Sequence, residues 1–228
     1  LSLGSWWHVN KVRTIPELVV VPETPSPQRV NPWKTPAFQL IATLVTMSFI
    51  TFSAIRPLIS LYMVNTLHAD EWFFSNFGLV ELAAGALVAS LTGYIVKRMS
   101  NRTMIAVGLA GTGIAAFVIA MAHTLPFTLI SAAIGGASWT IVNIGLFSLF
   151  SHSTPTEHKE AYTTAYHQIT FLALFIGPMI GRLLSGGKFP LATALVIGGV
   201  LRVIAGVLTQ SHPRLWINRI FKLGYNAH

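Results

Sequence analysis

Cysteine is absent from the 228 residues, which excludes disulfides, thiol catalysis and Cys-ligated metals and leaves the redox compartment unread. Acidic residues are almost as scarce. The seven are Glu17, Glu23, Asp70, Glu71, Glu81, Glu157 and Glu160, scattered over an N-terminal stretch, two connections and one apolar run, and no catalytic constellation can be assembled from them. Glu157, His158 and His152 share a connection without closed metal-ligand spacing, so neither a metal nor a cofactor is expected. A phosphate-binding Gly-Lys-Ser/Thr loop is also missing, which leaves ATP-driven work by this chain unsupported. Charged residues make up only 10%, against about 25% in an average soluble domain, and a soluble enzyme is excluded. The formal charge of +8 invites a nucleic-acid reading, but the basic residues lie between apolar runs and form no contiguous stripe, so no nucleic-acid partner is expected. The first residues lack the basic, apolar and small-residue succession of a signal peptide, and the chain opens on Leu1. A fragment or processed chain is the expectation.

What the sequence has in abundance is apolar length. Hydrophobic residues make up 53% of the chain and the mean hydropathy is +0.62. Six runs, 36–64, 72–96, 103–122, 127–150, 161–184 and 191–210, are each about long enough to cross a hydrocarbon layer of roughly 30 Å. The connections NTLHADE, KRMSNR, HTLP, SHSTPTEHKE and SGGKFP are short and polar, so neighbouring spans must run antiparallel. The expected fold class is all-α, a polytopic membrane protein of six transmembrane helices in contact with lipid. Phe73, Phe74 and Phe77, with Trp72, belong to an interfacial aromatic belt.

Basic residues set the sidedness. Lys11, Arg13, Arg29, Lys34, Lys97, Arg98, Arg102, Lys159, Arg214, Arg219 and Lys222 fall on one side, eleven of the fifteen, against Arg182 and Lys188 on the other. Both termini are therefore expected in the cytoplasm, with the bundle in a plasma (inner) membrane. Residues 1–35, with prolines at 16, 22, 25, 27 and 32, read as an extended cytoplasmic linker. Residues 36–211 form the transmembrane domain. Residues 212–228 read as an amphipathic tail with Trp216, Ile217, Ile220, Phe221 and Leu223 on one face and Arg214, Asn218, Arg219 and Lys222 on the other. Such a tail lies on the membrane surface or packs on the bundle's base.

Ionisable groups inside spans are costly, about 2.5–3.5 kcal/mol at mid-helix, and each needs a partner or a cavity. Four qualify: Arg56, Glu81, His167 and Arg202. Counted from the connection that joins the first two spans, Arg56 and Glu81 lie at similar depth, roughly 12 and 14 Å at 1.5 Å per residue. An Arg56–Glu81 ion pair follows, either a structural clamp or part of a transport path. His167 and Arg202 are also near-equal in depth on consecutive spans. Two potential cations do not pair, so a neutral His167 hydrogen-bonded near Gln168 or Tyr166 is expected, with Arg202 snorkelling along the helix or joining a cavity. Trp139, Asn143 and Phe147 share one helical stripe and offer an aromatic and an amide to a small molecule, or pack against the fifth span.

Three local features carry a resemblance. The connection GYIVKRMSNR (93–102) is similar to a basic loop motif, with Lys97 where an acidic residue is usual and Ser100 in place of a glycine. Gly177, Pro178 and Gly181 form a GPxxG ending in the fifth span, although Thr164 and Ala173 stand where the fuller pattern has glycines. The polar stretch SHSTPTEHKEAYTTAY leads into that span. Together with six spans and cytoplasmic ends, these resemble one half of a major facilitator superfamily transporter over residues 36–210. The degenerate loop after a proline-rich lead-in fits the C-terminal half better. The resemblance implies a secondary transporter half that moves a small-molecule solute by alternating access against an N-terminal six-helix half or a second subunit. It implies that Pro178, which removes a backbone hydrogen bond, bends the fifth span, while the many glycines also serve close packing. The alternative is a non-transporting scaffold or assembly subunit of a larger membrane complex, and pigment binding through His167 is a third reading.

Overall fold

In the computed structural model, residues 30–185 and 190–211 are described, and they are helical almost throughout. Pro36–Asn65 forms α1, Glu71–Ser90 α2, Thr92–Arg98 α3, Asn101–Ala120 α4, Leu125–Ser153 α5, Lys159–Ser185 α6 and Leu191–Ser211 α7. All but α3 are long and apolar enough to cross a membrane, which makes six candidate spans. Of the expected linker only residues 30–35 are described, and there Asn31 caps a single 3-10 turn, Pro32–Lys34. The rest of the linker, Lys188 and the amphipathic tail lie outside the described residues.

Local chemistry sets the helix boundaries. Pro36 and Pro126 occupy first-turn positions, where a missing N–H costs nothing. Asp70 accepts from the Phe73 amide at 2.8 Å to start α2, and Ser100 accepts from the Thr103 amide at 3.2 Å to start α4. Between α1 and α2 the chain turns with His68 at φ 56°, and the Ala69 amide reaches back to the Met63 carbonyl at 3.0 Å. The expected second span, 72–96, proves to be two helices. Ser90 donates to the Leu87 carbonyl at 2.7 Å and Thr92 to the Ala89 carbonyl at 2.6 Å, so side chains compete for the helix ladder on either side of Leu91. Leu91 leaves helical geometry at φ −93°, ψ 6°.

Packing does not follow chain order. α4 is the hub, held between α5 and α7, while α1 lies on α6 and α2 lies on α5. The consecutive helices α6 and α7 scarcely touch. Close crossings rest on small residues, because lipid tails are as apolar as side chains and offer no hydrophobic drive for association. At Gly108 an added Cβ would come within 2.7 Å of the Ser138 carbonyl, and at Gly113 within 2.7 Å of the Gly199 carbonyl. A core of Ile55, Leu58, Met63, Phe73, Ile119 and Leu195 joins α1, α2, α4 and α7 beside the α1–α2 turn.

Candidate functional site

Arg56 and Glu81 meet across a gap that their own helices do not close. Arg56 Nη1 donates to Glu81 Oε1 at 2.6 Å and Nη2 to Oε2 at 2.9 Å, a bidentate fork in which both carboxylate oxygens are used. The Glu81 side chain is 15% exposed and that of Arg56 54%, so the carboxylate is the enclosed partner. Glu81 is seated from behind by α5. Its backbone lies against Gly136, where a Cβ would collide with the Glu81 carbonyl, and only glycine permits that approach.

Arg202 is the second cation of the site. Of the two arrangements open from the sequence, snorkelling or a place in a cavity, it takes the second: it is 4% exposed, Nη2 donates to the Thr51 carbonyl of α1 at 2.6 Å and Nη1 to the Thr112 carbonyl of α4 at 3.3 Å. Nε is buried and has no hydrogen-bond partner. The guanidinium carbons of Arg202 and Arg56 both lie 5.5 Å from the centroid of the Phe52 ring, within reach of its quadrupole. Phe52 in turn stacks on Trp139 at 3.7 Å and 8°. α7 supplies Arg202 so deeply because Gly113 and Gly199 bring α4 and α7 into contact one residue from Thr112.

These groups border one cavity, with an empty volume of about 760 Å³ including its part open to the outside. Phe52, Ile55, Phe74 and Phe77 give it apolar walls, Ser60, Thr112 and Ser131 give it polar points, and Arg56, Glu81 and Arg202 are its ionisable lining.

The remaining sequence candidates are distributed elsewhere. Trp139 takes part through the stack on Phe52 and an edge contact with Phe49 at 4.9 Å, rather than as cavity lining. Asn143 turns its amide back to the Trp139 carbonyl at 2.8 Å, and Phe147 is exposed. His167 and Gln168 are exposed on α6, and His167 stacks on Phe171 at 6.2 Å. Near-equal depth permitted His167 and Arg202 to approach, but α6 packs on α1 and α7 on α4, and each residue has other neighbours. Gly177 and Gly181 serve the α1–α6 crossing: a Cβ at either would run into α1, at Ser53 and at the Ala54 carbonyl respectively. α6 continues as one helix through Pro178, and α1 does the same through Pro57.

Phe52, Thr51, Thr112 and Ser131 were not legible as site residues. The first is one aromatic among fourteen phenylalanines, and two of the others contribute a backbone carbonyl that carries no sequence signal. Within the basic loop, Arg102 has a defined task. It donates from Nε to the Thr209 carbonyl at 2.5 Å and from Nη2 to the Gln210 carbonyl, neutralising the carbonyl end of α7.

A comparison with curated proteins found no match. The family model described as Major Facilitator Superfamily matches residues 41–219, which takes in the bundle from early α1 onward. A match over most of the sequence, on six candidate spans around a charged cavity, means that the chain belongs to the major facilitator superfamily, a family of membrane transporters rather than enzymes.

Proposed function

We propose that this chain is the C-terminal six-helix half of a secondary transporter, moving a small solute by alternating access against an N-terminal half, with both termini in the cytoplasm. The observation that carries the reading is the cavity: a polar, charged pocket bounded by five of the long helices, in a protein whose other described interior is apolar or small. The faces of α2 and α6 that no other helix covers, with Leu79, Leu82, Phe171 and Phe175 exposed, are open to lipid or to a partner half. The paired prolines of α1 and α6 and the small-residue crossing between them suit two helices that tilt together.

The test uses the absence of native cysteine. Single cysteines at Ser60 and Ser148, placed toward opposite ends of the bundle, are labelled in the complete transporter with an impermeant thiol reagent from either side. Alternating access requires that conditions protecting one position expose the other. Parallel changes at both, or none, overturn the reading. Cysteines at Ser100 and Asp70 test the orientation, and labelling of Ser100 from outside reverses it.

A second reading, a scaffold that does not transport, is favoured by one observation. Arg56 occupies both oxygens of Glu81, so among the described residues no mid-span carboxylate is free to carry a proton.

A further inference from the structure

We propose that the cavity binds a small organic anion, a carboxylate on an apolar body, with Arg202 as its anchoring cation. This names the ligand class of the transport path proposed above and rests on that reading.

The argument begins with charge. Two guanidinium groups and one carboxylate line the cavity, a net charge of +1 once Glu81 is paired. Among the described residues the ion pair within 4.0 Å is Arg56–Glu81, and Arg202 makes its hydrogen bonds to main-chain carbonyls instead. What surrounds Arg202 is two main-chain carbonyls and the face of Phe52, all neutral. A buried cation without an anionic partner is among the most costly arrangements in a low-dielectric interior, and its position is explained when an anion completes it.

The donor inventory points the same way. Guanidinium carries five N–H donors, and Arg202 spends two of them, on Thr51 and Thr112, while its Nε stays unpartnered at 4% residue exposure. The two carbonyl bonds hold the planar group in place before any ligand arrives, which lowers the ordering cost of binding. The hydroxyls of Ser60 and Ser131 also belong to the lining, but their protons go to the main-chain carbonyls of Arg56 at 3.4 Å and Ala115 at 2.7 Å, which leaves Arg202 as the anchoring donor. Apolar walls from Ile55, Phe74 and Phe77 favour an organic body over a bare inorganic ion. A cationic solute would face the net positive charge, and a neutral one would leave Arg202 uncompensated.

Trp139 provides a reporter, since it stacks on the ring that both guanidinium groups approach. The experiment titrates the full chain, reconstituted in phosphatidylcholine nanodiscs, with benzoate, benzamide and benzylamine, three probes of one shape and different charge. Saturable binding of benzoate, at least tenfold tighter than benzamide and with benzylamine weakest, is expected. Arg202→Gln should abolish the preference for benzoate, and Arg202→Lys should keep part of it. Should Arg202→Gln fail to fold, Gly78→Leu decides instead, because Gly78 lines the cavity and a Cβ there meets nothing within 4 Å. Gly78→Leu should fold and weaken benzoate at least tenfold. Equal affinity for benzoate and benzamide, an Arg202→Gln protein that still prefers benzoate, or unchanged binding in Gly78→Leu overturns the proposal. Discs containing phosphatidylglycerol separate a solute from a lipid headgroup: benzoate binding that vanishes there assigns the site to the lipid and also overturns it. Anion binding that persists while Ser60 and Ser148 show no reciprocal labelling leaves the site standing and removes the transport reading.

Discussion

α2 and α4 are both 20 residues long and both apolar enough to cross a membrane, yet 56% of α4's most apolar stretch is buried and only 6% of α2's. Their mean hydropathies over that stretch, 1.4 for α2 and 2.0 for α4, do not account for a ninefold difference in burial. What separates them is the number of surfaces at which a backbone can come close. α4 presents Gly108 and Gly111 to α5 and Gly113 to α7, whereas α2 is approached closely only along α5, at Gly85 and Gly136. Apolarity therefore selects the solvent, and small residues at the right turns select the neighbours.

The comparison is broken most directly by adding bulk to each helix. Gly108→Leu would drive a side chain into Val142 and the Ser138 carbonyl, an overpacking that costs about 1–3 kcal/mol or somewhat more, and should sharply reduce folded yield. Gly78→Leu on α2 should stay within about 0.5 kcal/mol of the parent. Thermal unfolding of the two in detergent checks this, and equal losses would refute the contrast between hub and edge. Next in size is the link that ties α2 to α1. Arg56→Ala or Glu81→Ala should each cost about 1.5–3 kcal/mol, the scale of hydrogen bonds to charged groups, rather than the larger loss of a fully buried pair, because Arg56 is half exposed. The double variant should lose less than the sum, and the swap of Arg56→Glu with Glu81→Arg should recover yield. Strict additivity in the double-mutant cycle would mean that the fork contributes nothing. Smaller again is Arg102→Ala, which uncaps the carbonyl end of α7 and should lower stability by about 0.5–1.5 kcal/mol, measured by the same melt. A loss as small as that of Gly78→Leu would show that the hub gains nothing from this cap. Pro178→Ala should leave folding nearly unchanged, since α6 is already continuous there, and any effect should emerge in uptake rate by the complete transporter. Identical uptake reduces Pro178 to a packing residue.

Much of the fold was legible because each span is a long, local pattern. The observed bounds of α1, α4, α5, α6 and α7 lie within about three residues of the expected ones, and the Arg56–Glu81 geometry followed from equal depth across one short turn. Equal depth was not enough to settle the neighbours of His167 and Arg202, where the turn is also short but the helices part to different partners. Depth along a helix can be counted in residues. Azimuth and neighbour choice cannot, because they depend on which glycines find a facing carbonyl on another helix.

The sequence by itself determined the solvent, the number of candidate spans, the ends of all but the second and the scarcity of mid-span charge, since each of these follows from hydropathy, prolines and caps within a few consecutive residues. The tertiary structure alone decided that Arg202 is buried between Thr51 and Thr112, that Phe52 lies near two guanidinium groups, and that α2 stands at the edge while α4 stands at the centre. The physical reason is that inside a membrane most helix surfaces are alike in apolarity, so the choice among neighbours rests on close packing and main-chain carbonyls, contacts between residues as far apart in the chain as 51 and 202.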